Sequence, residues 1–274
     1  KSGRAYGTDS KLYDSSFGWR FINPKMQDSY GTDAMGETAE NLVEAYSISR
    51  EDQDAFAVWS QEKTAQAQAS GYFEGEIVPV SIPQRKKDPV VVSVDEFPKP
   101  NSSLAALAGL RPAFRKDGSV TAGNSSGLND GAAACLVASE AAVQAHGLTP
   151  LARIVASAVV GVEPRTMGIG PVPATQKALA KAGLSLDDMD IIELNEAFAA
   201  QCLANGYELA DQGWDWNKVN VNGGGIALGH PIGMSGARIV TTLIYALKDR
   251  GLKRGLAALC LGGGEAVAMA IELE

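Results

Sequence analysis

From about residue 121 onward the apolar positions fall into short blocks whose period switches between two and 3.6. Residues 132–138 and 154–162 are β-branched or small apolar runs that predict strands, and 191–194, 257–261 and 266–273 predict three more. Between them, residues 140–146, 175–183, 197–212 and 235–250 carry apolar positions at helical spacing, and Gly147 ends the first of these in the usual way. Strand and helix in alternation predict an α/β fold, a sheet layered with helices, in which chemistry gathers at the loops after the strands.

Residues 1–120 read differently. Pro24, Pro79, Pro83, Pro89, Pro98, Pro100 and Pro112 break them into turns. One helix stands out: Ser49 with Asp52 forms a capping pair, and Phe56, Trp59, Lys63 and Ala67 follow at helical spacing up to Gly71. Residues 37–46 predict a shorter helix before it, and 76–82 and 90–94 predict two short strands around the basic turn Gln84-Arg85-Lys86-Lys87. This half is too irregular for a self-sufficient α/β domain and reads as an insertion carried on a scaffold.

Composition narrows the function classes. The chain has 274 residues, a net charge of −8 and a sequence pI of about 4.9, which argues against a general nucleic-acid binder. No apolar run reaches the ~18 residues of a membrane span, and no signal-peptide core opens the chain, so a cytoplasmic location is expected. Three cysteines, at 135, 202 and 260, make no disulfide framework, and two histidines without a close cysteine pair give no expectation of a metal. Lys1 opens the chain inside what reads as a loop, and a fragment is the expectation.

Three places carry candidate chemistry. Asn222-Gly223-Gly224-Gly225-Ile226-Ala227-Leu228-Gly229-His230-Pro231-Ile232-Gly233 sets five glycines around His230, and Pro231 stiffens the backbone that aims the ring. Cys260 ends an apolar strand and is followed by Gly262-Gly263-Gly264, whose bare backbone N–H groups suit a developing oxyanion. Asn195 and Glu196 fall where strand gives way to helix, a position where an N-cap explains them simply. His146 suits a helix C-terminus, and Cys135 and Cys202 read as core.

Gly123-Asn124-Ser125-Ser126-Gly127-Leu128-Asn129-Asp130-Gly131-Ala132-Ala133, Asn195-Glu196-Ala197-Phe198-Ala199, Gly229-His230-Pro231-Ile232-Gly233 and Cys260-Leu261-Gly262-Gly263-Gly264 together resemble the motifs of the thiolase family, in thiolase order. The resemblance implies a layered α/β fold, a mixed sheet covered by helices. Residues 1–125 would be a CoA-binding loop domain, 126–149 a remnant of the N-terminal core domain, and 150–274 a complete C-terminal domain. It also implies an acyl-CoA acyltransferase that runs the reversible Claisen condensation or thiolysis of a 3-oxoacyl-CoA. By that resemblance His230 activates a nucleophile and helps bind an oxyanion, Asn195 orders a water in the same site, Cys260 is the acid/base, and the Gly262 N–H lines a second oxyanion site. A thiol with a pKa of ~8.5 is suited to such proton traffic. The attacking cysteine of the family lies upstream of anything in this sequence, so the chain is expected to be inactive alone.

The same resemblance places Ser126, Leu110, Phe114 and Phe198 on CoA and its acyl chain, with Lys99, Arg111 and Arg115 facing phosphates. Acyl-CoA and CoA are the expected partners, CoA being a substrate rather than a cofactor, and the family assembles as homodimers or homotetramers. Phe17-Gly18-Trp19-Arg20-Phe21-Ile22-Asn23-Pro24 is similar to thiolases acting on 3-oxoadipyl-CoA in aromatic-compound breakdown, and Arg20 is a candidate for a distal carboxylate; acetoacetyl-CoA is the alternative. Two other classes stand beside this. Gly123–Gly127 fits G-x-S-x-G, so Ser125 with Asp190 and His230 would make a serine hydrolase. A non-catalytic CoA-binding or oligomerisation fragment is the other.

Overall fold

The computed structural model describes residues 4–10, 12 and 18–274. Lys1 and Phe17, which figured in the readings above, lie outside the described residues. The chain opens with α1 (Pro24–Tyr30), α2 (Met35–Tyr46) and α3 (Arg50–Ala69), then a two-stranded antiparallel ribbon of β1 (Val80–Ile82) and β2 (Val90–Val92), and the short helices α4 (Leu104–Ala108) and α5 (Glu140–His146). The second half runs β3 (Ala152–Gly161), α6 (Pro171–Ala182), β4 (Ile191–Leu194), α7 (Ala199–Leu209), α8 (Gly225–Leu228), α9 (Ile232–Asp249), β5 (Arg254–Leu261) and β6 (Glu265–Leu273).

The four long strands form one mixed sheet in the order β3-β6-β5-β4, antiparallel throughout except for the parallel pair β4 and β5. Alternation along the strands divides the core in two. Ile192, Leu194, Leu256 and Ala258 face α6 and α7, whereas Ile191 and Ala257 face α9. On α9 the residues Ile239, Leu243, Ala246 and Leu247 form the matching stripe at i, i+4, i+7 and i+8. Burial of each isoleucine or leucine of this stripe is worth about 1.5–3 kcal/mol, which is what holds the helix flat on the sheet. β4 is buried along its whole length, as expected of a strand covered on both faces.

Local signals explain most element ends. Ser49 Oγ accepts the Asp52 N–H at the start of α3, Asn23 caps α1 ahead of Pro24, and Gly147 and Gly183 close α5 and α6 in the left-handed conformation. Helix α2 packs on α7, and α3 packs on α7 and α8, so the irregular first half leans on the sheet-bearing second half.

Two expectations fail together. Residues 132–138 form no strand and stay exposed, Leu136 and Val137 included, because no strand among the described residues lies alongside to complete the hydrogen-bond ladder. Cys135, expected in the core, is consequently exposed, with its sulfur beside Thr241 Oγ1 at 3.3 Å. Cys202 is buried as expected.

Candidate active site

In the parallel pair, β5 runs three residues past the end of β4. Leu194 registers with Ala258, and the Asn195 N–H donates to the Ala258 carbonyl at 3.0 Å, which sets Asn195 beside the last turn of chain leading to Cys260. The Asn195 side chain does not cap a helix; α7 starts from Phe198 with no side-chain cap. Instead its Nδ2 lies 3.4 Å from His230 Nε2. His230 Nδ1 is 2.6 Å from Ser235 Oγ, and that hydroxyl donates its single proton to the Pro231 carbonyl at 3.0 Å. Nδ1 must therefore carry the imidazole proton, leaving the Nε2 lone pair toward Asn195. Burial, with the Arg238 charge adding to it, holds the His230 pKa below its ordinary value, so the ring is a neutral base at pH 7. Asn195 Oδ1 is buried without a hydrogen-bond partner among the described residues, an acceptor left over for something bound in the site.

Cys260 faces the α7 side of the sheet and is buried. Burial pushes its thiol up to about 12, well above the near-neutral value expected of a free cysteine, because nothing cationic compensates the thiolate. It is the acid form that rests in this site. The Gly262–Gly264 turn beyond it joins β5 to β6, and Gly263 and Gly264 sit at φ of 96° and 92°, where any other residue would be strained. Met35, at the start of α2, lies against Gly262, 3.6 Å from where a Cβ would stand.

Glu196 is the residue whose role the sequence hid. Fully buried, its carboxyl group accepts from Ser60 Oγ at 2.7 Å, Asn220 Nδ2 at 2.8 Å and the Ile226 N–H at 3.1 Å. Ser60 Oγ in turn receives the Gly224 N–H at 3.2 Å, and a Cβ on Gly224 would overlap the Glu196 carboxyl. One side chain thus ties α3, the end of β4 and the glycine loop that leads to His230.

Of the other residues singled out, Ser126, Phe114 and Phe198 come together. The Ser126 N–H donates to the Ala197 carbonyl at 3.0 Å, and the Phe114 and Phe198 rings meet edge to face at 5.9 Å. Leu110 packs over Gly123 nearby. Lys99 and Arg111 are exposed. Arg115 is otherwise engaged: its guanidinium bonds Glu37 and Asn41 at 3.0 Å and also Glu44, so it staples α2 and is not offered to a phosphate. The hydrolase arrangement is absent as well. Ser125 Oγ donates to the Thr121 carbonyl at 2.6 Å, Asp190 accepts the Lys253 and Arg254 N–H groups, and His230 is held by Ser235 and Asn195.

Behind the site, Glu193 is fully buried with Oε2 3.5 Å from Arg238 Nη1 and no hydrogen bond on either oxygen. Burial pushes it up to about 8 against the pull of Arg238, and burial likewise pushes Glu76 up to about 7. Unfolded, both ionise near their ordinary value of 4.5. Between pH 4.5 and 8 the folded chain therefore keeps protons that the unfolded chain releases, and stability falls as pH rises through that window. Glu193→Gln should leave the thermal midpoint near wild type at pH 5 and raise it at pH 8; an equal shift at both pH values would rule out this carboxyl as the cause.

Residues 10–141 match the family model for the thiolase N-terminal domain, and residues 148–273 match that for the thiolase C-terminal domain. The chain belongs to the thiolase family, whose members are acyltransferases. It is similar to the beta-ketoadipyl-CoA thiolase of Acinetobacter baylyi, 54% identical over 274 residues that cover 99% of this chain and 68% of that protein. The crystal structure of the Bacillus anthracis acetyl-CoA acetyltransferase superimposes with a TM-score of 0.85 at 49% identity, over 98% of this chain and 66% of the other. Human mitochondrial 3-ketoacyl-CoA thiolase, solved in complex with CoA, superimposes with a TM-score of 0.79 at 46% identity, over 88% and 59%. The chain thus spans roughly two thirds or less of the length of the relatives it matches.

Proposed function

We propose that this chain carries the proton-transfer and oxyanion-binding part of a thiolase, cleaving 3-oxoadipyl-CoA with CoA to acetyl-CoA and a shortened acyl-CoA, and the reverse. The observation that supports it best is the locked pair of His230 and Asn195 beside the strand end that bears Cys260. His230 Nε2, free of a proton, can take one from an attacking thiol and, as the imidazolium, offer it in a hydrogen bond to the oxyanion that forms. Asn195 Oδ1 holds the water that completes that oxyanion site. Cys260 gives its proton to the departing acetyl-CoA carbon or, in the direction of synthesis, removes one from it. The Gly262 N–H serves the second oxyanion.

Ser126, Leu110, Phe114 and Phe198 take the pantetheine and acyl chain, with Lys99 and Arg111 at the phosphates. Acetoacetyl-CoA is the alternative substrate, as the acetyltransferase name on the Bacillus anthracis relative keeps open. Following its family, the protein assembles as a homodimer or homotetramer.

Covalent attack calls for a thiolate other than Cys260. Cys202 is fully buried, with its pKa raised by burial, and Cys135 sits against Thr241. The 274-residue chain by itself should therefore bind CoA thioesters without forming acetyl-CoA from 3-oxoadipyl-CoA and CoA. A coupled acetyl-CoA assay decides this: sustained turnover by the chain alone would make one of its three cysteines the nucleophile and overturn this expectation, and the role given to Cys260 with it only if the acyl group were carried on Cys260.

A further inference from the structure

Beside the Gly262–Gly264 turn lies a group of charges that the proton transfers above do not use. Asp33 Oδ2 accepts from Arg165 Nε at 3.1 Å and from Asn41 Nδ2 at 2.9 Å, and the Asp33 carbonyl accepts from Trp19 Nε1 at 3.1 Å. Asn41 also donates to the Arg165 carbonyl at 2.9 Å, so both the backbone and the inner end of this arginine are held. Neither terminal nitrogen of Arg165 hydrogen-bonds a described residue, and the side chain is 58% exposed.

Both ends of this pair are anchored to the turn that follows Cys260. Pro164, next to Arg165, packs against Gly264, and Met35, two residues beyond Asp33, packs against Gly262. The bond from Trp19 brings a second arginine, Arg20, onto the same stretch of chain. Asp33 itself stays ionised: its hydrogen bond from Asn41, followed by the Arg165 bond and charge, holds its pKa below the ordinary value despite some burial. A guanidinium tethered through Nε presents its two outer nitrogens as a planar fork, the geometry that matches a carboxylate with two parallel bonds.

We propose that Arg165, held by Asp33, recognises the distal carboxylate of a dicarboxylic 3-oxoacyl-CoA and so selects it over neutral acyl chains of the same length. This rests on the thiolase reading of the site and assigns within it the residue that sets substrate class. Arg165 is a specificity residue: it lies at the rim of the turn and takes no part in the proton transfers.

The test compares three ligands by calorimetry, 3-oxoadipyl-CoA, 3-oxohexanoyl-CoA and CoA, against the wild-type chain, R165Q and R20Q. The wild type should prefer the dicarboxylic ligand. R165Q should bind 3-oxoadipyl-CoA about tenfold more weakly, the loss of one partly solvated charged hydrogen-bond pair, while its affinity for the other two ligands stays within about twofold. Unchanged 3-oxoadipyl-CoA affinity in R165Q overturns the proposal, and a selective loss in R20Q alone transfers the role to Arg20. Equal weakening of all three ligands by R165Q also overturns it, because the arginine would then act on CoA or on the fold. Wild-type binding of CoA without preference for the dicarboxylic chain defeats this proposal only, whereas no binding of any of the three defeats the thiolase reading with it.

Discussion

With Cys260 replaced by alanine, the C2 protons of acetyl-CoA bound to this protein should exchange with solvent deuterium about 10²–10⁴-fold more slowly than in the wild type, the loss that attends removal of a positioned acid or base. The prediction needs only groups found in this chain. Exchange requires a base for the C2 proton and donors for the thioester oxygen as it becomes an enolate. Cys260 supplies the first, and the Asn195-held water supplies the second, joined by His230 once its Nε2 carries a proton. The pH dependence has a definite sign. Because burial pushes the Cys260 thiol up to about 12, its thiolate is scarce at neutral pH, and the exchange rate should climb by about tenfold per pH unit across the neutral and mildly alkaline range. Mass spectrometry of acetyl-CoA recovered from D₂O measures both effects. Exchange that persists in C260A, or a rate that falls as pH rises, would remove Cys260 from the role.

Glu196→Ala should cost about 3–5 kcal/mol of stability, the scale of a buried polar network broken from one side. Three donors lose their acceptor at once: Ser60 Oγ, Asn220 Nδ2 and the Ile226 N–H, each in a place water does not reach. The vacancy also leaves Gly224 without the group it packs against, so the loop that delivers His230 loses its support. Glu196→Gln keeps the shape but sets an amide N–H₂ against one of the donors, and it should fall between wild type and alanine. Urea unfolding monitored by the signal of the partly buried Trp59 and Trp216 cluster reads the difference. A cost under about 1 kcal/mol for the alanine variant would show that the network is replaceable.

The elements most legible in the sequence are those whose cause is local. Ser49 and Asp52 announce α3, Gly147 ends α5, and the apolar block Ile191–Leu194 is β4 to the residue. The strand expected over 132–138 fails because alternation gives a propensity, while a strand needs a neighbour. The same holds for the site. His230, Asn195 and Cys260 stand out as candidates in the sequence because each lies at the end of an element, beside glycines or at a change of period.

Their supports were not readable, because they come from far along the chain. Ser60 reaches Glu196 across 136 positions and Met35 meets Gly262 from the other half of the molecule. Ser235 lies only five positions past His230, yet nothing in the sequence says that its hydroxyl faces Nδ1 until α9 is known to begin at Ile232. Arg115 shows the opposite error: a basic residue near a supposed CoA surface, claimed in the fold by Glu37, Glu44 and Asn41.

The central claim is that Cys260, His230 and Asn195 enclose one thioester site, and a crystal structure of the chain with acetyl-CoA tests it most directly. The expected result places the thioester oxygen within hydrogen-bonding distance of a water held on Asn195 and beside the His230 ring, with the acetyl methyl against Cys260 Sγ. Acetyl-CoA bound with its thioester away from both His230 and Cys260 would contradict it.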